Sequence, residues 1–148
     1  MIHHGKRLAF DFGSKRIGVA IADADGLVAV PLMTLINDET LEQSLFELFA
    51  DYAPVMAYVG MATHLSGHSG SSAEACRNFA LQIMREFEIP VYLIDERLSS
   101  TSAAKQLTAI GKSPSRNKKI IDQIAATTIL ESALNFEKSH GRYAGTPV

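Results

Sequence analysis

Apolar positions follow two different rhythms along the chain. Residues 7–12 and 17–23 are short runs rich in apolar and β-branched side chains, joined by Gly13-Ser14-Lys15-Arg16. A third run, 27–34, follows Asp25-Gly26, a dipeptide that favours a tight hairpin turn. These three runs predict an antiparallel meander. Beyond residue 38 the period lengthens: Leu41, Leu45, Leu48 and Phe49 recur at helical spacing within 38–52. A short apolar strand, 55–60, comes after Pro54, and Ala75, Phe79, Ile83 and Phe87 mark a helix over about 71–87. Pro90 leads into a strand at 91–94, and two helices, near 100–110 and 117–136, follow. Hairpins first and crossover units afterwards predict an α/β fold: a five-stranded mixed sheet, a three-strand meander and then two parallel strands, with helices on both faces. A core of about 7–137 is expected within a single domain spanning 1–148, with 138–148 as a polar, flexible tail.

Against this pattern, three acids stand where structure alone gives them little reason to be. Asp11 ends one apolar run, Glu96 follows another, and Asp122 opens the apolar helix that runs from Ile120 to Leu134. A carboxylate at a strand end or on an apolar helix face loses hydration and requires a compensating positive charge. Three such acids from distant segments suggest a divalent-metal site. Each also has a plainer reading: Asp11 as a turn residue beside Gly13, Asp95 or Glu96 as a partner of Arg97, and Asp122 as an acid in the first turn of its helix, where the positive dipole end favours it. Ala126, Ile129 and Ala133, which follow Asp122 at helical intervals, direct it toward the small, apolar face that packs inward.

Composition changes this picture only a little. With 148 residues and 47% hydrophobic content, the chain can bury a proper core without staples. A net charge of -2 creates no global field that attracts nucleic acid, so any polyanion must be held by local basic patches. The single cysteine, Cys76, excludes an internal disulfide and suits a reducing compartment, as a small core residue. No stretch has the length of a membrane span and no signal-peptide core precedes the first strand, so a cytoplasmic location is expected.

Three motifs carry a resemblance. Asp11-Phe12-Gly13-Ser14-Lys15-Arg16-Ile17-Gly18-Val19-Ala20, then Asp95-Glu96-Arg97-Leu98-Ser99, and finally Asp122-Gln123-Ile124-Ala125-Ala126 with Ile129-Leu130-Glu131 resemble the YqgF family. That bacterial group is described as Holliday junction resolvases and as nucleases that mature the end of pre-16S ribosomal RNA. The likeness runs from about Leu8 to Leu134. It implies an RNase H-like fold in which Asp11, Glu96 and Asp122 meet at one end of the sheet as catalytic metal ligands. Asp11 would bridge two Mg2+ or Mn2+ ions, with Glu96 and Asp122 each favouring one; Asp95 is the fallback for Glu96. Hard cations want carboxylate oxygens, and a metal pair both generates hydroxide and relieves charge on the leaving oxygen. Related junction resolvases often carry a further acid or a His three residues on, where this chain has Ala125. The resemblance thus implies a second metal site short of one ligand.

Basic residues gather where a polyanion would lie. Lys105, Lys112, Arg116, Lys118 and Lys119 follow one another with no acid between them and lead into the helix of Asp122, while Lys15 and Arg16 come four and five residues after Asp11. Lys15, Arg16, Arg97, Lys112, Arg116, Lys118 and Lys119 are the expected contacts to a nucleic-acid backbone, against a solvated surface as the plainer reading. The segment 61–72 departs from the family, with Ala62 and Ser66-Gly67 in place of a Pro and an acid-Gly pair. His64 and His68 within it read as polar loop residues rather than a zinc pair, since Gly67 disfavours the helix that would align them. The expected partners are structured RNA or branched DNA, with ribosomal precursor particles as a further partner, and the protein is a monomer or a homodimer. Two other readings stay open. One is a nucleotide-binding fold of the actin type, which shares an Asp-x-Gly loop but needs a second domain; the other is a non-catalytic nucleic-acid or ribosome-binding module.

Overall fold

The computed structural model describes residues 4–61, 70–94 and 118–148. The first three strands are β1 (Arg7–Asp11), β2 (Arg16–Ala22) and β3 (Ala29–Ile36). They form the expected meander, with β1 antiparallel to β2 and β2 antiparallel to β3. Helix α1 (Leu41–Tyr52) leads to β4 (Met56–Gly60), which pairs with β1 in parallel. Helix α2 (Gly70–Phe87) leads to β5 (Val91–Leu93), which lies parallel to β4. The long helix α3 (Lys118–His140) and a two-residue strand β6 (Thr146–Pro147) end the chain. The sheet order is β3-β2-β1-β4-β5-β6.

Alternation along the strands sorts the side chains to two faces. Leu8, Phe10, Ile17, Val19 and Val59 point to the side covered by α1 and α2, where Leu45, Leu48, Phe79 and Ile83 meet them. Each of these large side chains, removed from water, contributes roughly 1.5–3 kcal/mol. The opposite face is built from small residues, Ala9, Ala20 and Ala22, against Ala125, Ala126, Ile129 and Ala133 of α3. Small side chains on both partners bring this helix close to the sheet, and it lies across β1, β2 and β3.

Two expectations change. Among the described residues the sheet has six strands rather than five, and the additional one comes from the segment expected to trail as a flexible tail. Tyr143 and Ala144 are buried there against Tyr58, Tyr92 and α3, which fastens the chain before it pairs with β5. Gly145 makes the turn between them at φ +77°, and a Cβ at that position would overlap the Leu93 carbonyl. The other change is at β3, which begins at Ala29 because Leu27 and Val28 sit exposed in the hairpin connection. The expected helix near 100–110 lies outside the described residues.

At one end of the sheet a buried polar group locks the layers together. Arg7 on β1 donates through Nε to both carboxylate oxygens of Glu137 on α3, at 3.0 and 3.2 Å. Tyr58 on β4 donates to the same carboxylate at 2.6 Å and accepts from the Ala144 N–H. Burial raises the Tyr58 phenol well above its ordinary pKa, and the hydrogen bond to Glu137 adds to the shift.

Candidate metal and nucleic-acid site

Asp11 is the last residue of β1 and alternates with Ala9, so it faces α3. It is 1% exposed, with both carboxylate oxygens out of solvent. Its register partners are both glycine: Gly18 on β2 and Gly60 on β4. This leaves Asp11 in a cradle without flanking side chains. The glycine at 18 has a second reason, because the α3 backbone passes directly over it. A Cβ there would overlap the Asp122 carbonyl and stand 2.9 Å from Asp122 Cβ. Gly18 therefore lets the helix bring Asp122 down onto the strand pair that carries Asp11.

The helix start is held to the sheet by polar contacts. Thr34 Oγ1 on β3 donates to the Lys119 carbonyl at 2.8 Å, and Gln123 Nε2 donates to Thr34 Oγ1 at 3.1 Å. Asp122 stands on the second turn of α3 and is 7% exposed, with Ala125 and Ala126 buried beside it. Its first-turn explanation fails, since no acid occupies the first turn of α3. Arg16 of β2 meets it instead, Nε to Oδ2 at 2.9 Å. Thr34 and Gln123 were not singled out by the sequence reading; a threonine inside the apolar run Leu32-Met33-Thr34-Leu35-Ile36 was the available signal.

The connection after Asp11 is pinned as well. Asn37 Nδ2 donates to the Gly13 carbonyl and its backbone N–H donates to the Lys15 carbonyl, both at 2.9 Å. Lys15 itself is exposed. On the α2 side of the same strand end, Phe12, Gly13, Ser14, Asn37, Met61, Ser72 and Ala75 line a cavity of about 360 Å3.

Of the expected site residues, Asp11 and Asp122 are brought to one face at one end of the sheet. Glu96, Asp95, Arg97, Lys112 and Arg116 lie outside the described residues, as do His64 and His68. Lys118 opens α3 with its side chain outside the description, and Lys119 is exposed beside it. The chain leaves β5 at the same end of the sheet, where Ile94 N–H donates to the Val59 carbonyl. Among the described residues no group of three metal-ligating side chains forms. The two aspartates offer hard oxygen donors in a small-residue cradle, which fits an Mg2+ or Mn2+ ion and not a soft metal. Among the described residues no helix is long and apolar enough to cross a membrane.

Comparison with known proteins gives the family and the fold. A relative from Streptomyces coelicolor, named "Putative pre-16S rRNA nuclease", is 36% identical over 99% of this chain and 90% of its own length. A relative of the same name from Methylobacillus flagellatus is 40% identical over 84% of this chain and 87% of its own. Among solved structures, Thermus thermophilus RuvC in complex with a Holliday junction substrate superposes with a TM-score of 0.63 at 15% identity, covering 98% of this chain and 100% of that one. At that identity the likeness speaks for the α/β, RNase H-like fold. The family described as RuvX, Holliday junction resolvase, matches residues 5–136, and the chain belongs to that family.

Proposed function

We propose that this chain is a divalent-metal-dependent endonuclease that hydrolyses phosphodiester bonds in processing the 5′ end of pre-16S ribosomal RNA. The observation that carries the chemistry is the buried Asp11, set between two glycines and faced by Asp122 from α3. The names of the curated relatives support the RNA substrate. A second reading, resolution of branched DNA, is favoured by the family description and the likeness to RuvC.

Asp11 and Asp122, with Glu96, would hold one or two Mg2+ or Mn2+ ions. Such ions supply a hydroxide at neutral pH and relieve charge on the leaving oxygen. The chain's own part is placement. Gly18 and the contacts among Thr34, Gln123 and the Lys119 carbonyl fix the Asp122 backbone, so its carboxylate need not be ordered at the moment of reaction. Lys15 and Lys119 are exposed and offer cations to the sugar-phosphate backbone, with Arg97, Lys112, Arg116 and Lys118 as the further contacts expected from the sequence. Such contacts hold a strand in register without reading its sequence. The buried thiol of Cys76 accords with work in a reducing cytoplasm, on nucleic acid or on ribosomal precursor particles.

The test incubates the purified protein with a pre-16S 5′-end RNA, an RNA duplex and a four-way DNA junction, each with Mg2+, Mn2+ or chelator. Metal-dependent cleavage of the RNA is the expected result. Cleavage confined to the junction selects the resolvase reading. Binding without cleavage in every combination makes the protein a non-catalytic module on the same fold.

A further inference from the structure

Among the described site residues, Arg16 stands apart from its expected task. A basic side chain directly after the acid-bearing loop suggests a phosphate contact, yet its guanidinium is on Asp122, through Nε alone, at 2.9 Å. The two partners are anchored unequally. Asp122 belongs to a helix tied to β3 and seated on Gly18, whereas the Arg16 side chain is 26% exposed at the edge of the site. A rearrangement of this pair therefore moves the arginine and leaves the aspartate in place. Of the five N–H donors on a guanidinium, the contact with Asp122 takes one.

Elementary electrostatics then sets an order of events. A buried carboxylate requires positive charge nearby, and Arg16 supplies it to Asp122. A divalent cation at the same carboxylate replaces that charge and repels the guanidinium. The Arg16 side chain is already 26% exposed, and Lys15 before it and Lys119 on α3 are exposed as well, so a phosphate could be met there.

We propose that Arg16 is a built-in counter-ion of the metal site, which holds Asp122 until a divalent cation takes the carboxylate and then turns to a phosphate of the nucleic acid. Metal and nucleic acid thereby bind with positive coupling through one side chain, and by linkage each raises the other's affinity by the same factor. The inference rests on Asp11 and Asp122 being metal ligands. It makes Arg16 a positioning residue, not a group that reacts.

Calorimetric titration with Mn2+ tests it on the intact chain, with and without an oligonucleotide carrying a non-hydrolysable linkage. Arg16→Gln removes the competitor, so Mn2+ alone should bind about two- to five-fold more tightly than to the wild type, the range that an ion pair near the surface can supply. The same variant should lose the enhancement of Mn2+ affinity by the oligonucleotide. Arg16→Lys, which keeps the charge but not the planar fork, should fall between the two. A purely structural arginine predicts the opposite, weaker Mn2+ binding by Arg16→Gln, and that result or an unchanged affinity overturns the proposal. Coupling that persists in Arg16→Gln overturns it too. If the wild type binds no Mn2+, or if Asp11→Asn binds it as the wild type does, the metal-site reading itself falls and takes this inference with it.

Discussion

Two arginines tie the sheet to opposite ends of α3, and they do so in different ways. Arg7 meets Glu137 with Nε shared between both carboxylate oxygens and Nη2 at 3.0 Å from Oε1, and both side chains are almost out of solvent, at 4% and 6% exposure. Tyr58 adds a third group to that carboxylate. Arg16 meets Asp122 by one nitrogen and one oxygen, at 26% and 10% exposure. A bidentate, desolvated pair with its remaining acceptor satisfied is costly to open, because either charge left alone would be stranded in a poor solvent. Arg16, 26% exposed, gives up its single contact at little cost once another cation serves the buried Asp122 carboxylate. One end of the helix is built to stay closed; at the other, the pair is open enough for the exchange proposed for Arg16, which a metal-binding carboxylate would require.

The contrast can be broken most directly at the exchanging end. Asp11→Asn should reduce cleavage by about 10³-fold or more, above the 10–100-fold typical of residues that merely support a ligand. Its folding should be close to that of the wild type, since relief of repulsion between clustered acids offsets lost contacts. Rates under saturating substrate, with denaturant unfolding alongside, check both halves, and an active Asp11→Asn enzyme removes Asp11 from the site. At the closed end the effect should appear in stability. Glu137→Ala leaves the Arg7 charge buried and should cost about 3–5 kcal/mol, measured by denaturant midpoint. A loss below 1 kcal/mol would place this pair in the same class as the exposed one. Gly18→Ala inserts a Cβ into the Asp122 backbone, so it should lose about 1–3 kcal/mol and weaken metal binding together, by calorimetry. Loss of stability with metal affinity intact would show that the approach of α3 does not position Asp122.

The smallest effect is expected at Tyr58. Tyr58→Phe should cost about 1–2 kcal/mol near neutral pH, because it removes a donor to a buried carboxylate and an acceptor for the Ala144 N–H. The folded phenol has its pKa raised from an ordinary value of 10.0. The stabilisation linked to its proton is therefore complete below about pH 10 and declines as pH rises beyond it, at up to about 1.4 kcal/mol per pH unit. Unfolding free energies from pH 8 to 11 should fall more steeply for the wild type than for Tyr58→Phe. Parallel curves would mean that the phenol is not held neutral by its surroundings.

The sequence carried the meander, the crossover units and the acids at the strand and helix ends, because those features are written in local periodicity and in charges placed against it. It misled at Leu27 and Val28, since apolar character alone does not separate a strand from an exposed hairpin connection. It missed β6 because Thr146 and Pro147 are too few to show any period; only Tyr143 in a polar stretch hinted that the chain turns back inward. The partners of the arginines were beyond local reading altogether. Arg7 and Glu137 are separated by 130 positions and Arg16 and Asp122 by 106, so no local pattern pairs them, and Arg16 read as a charge that belonged to substrate or solvent.

The outermost strands of the sheet, finally, bear on how the protein behaves in crowded solution. An open strand edge offers a row of hydrogen-bonding groups to any passing copy, and β3 with its exposed Val30 and Ile36 would be an adhesive one. Pro31 removes a donor from that row, and the register shift between Val19 and Ala20 bends the β2–β3 pair nearby. At the far edge, β6 covers β5 and itself contains Pro147. Among the described residues each rim of the sheet thus ends in a strand poorly suited to growing another, which disfavours open-ended association through the sheet edges.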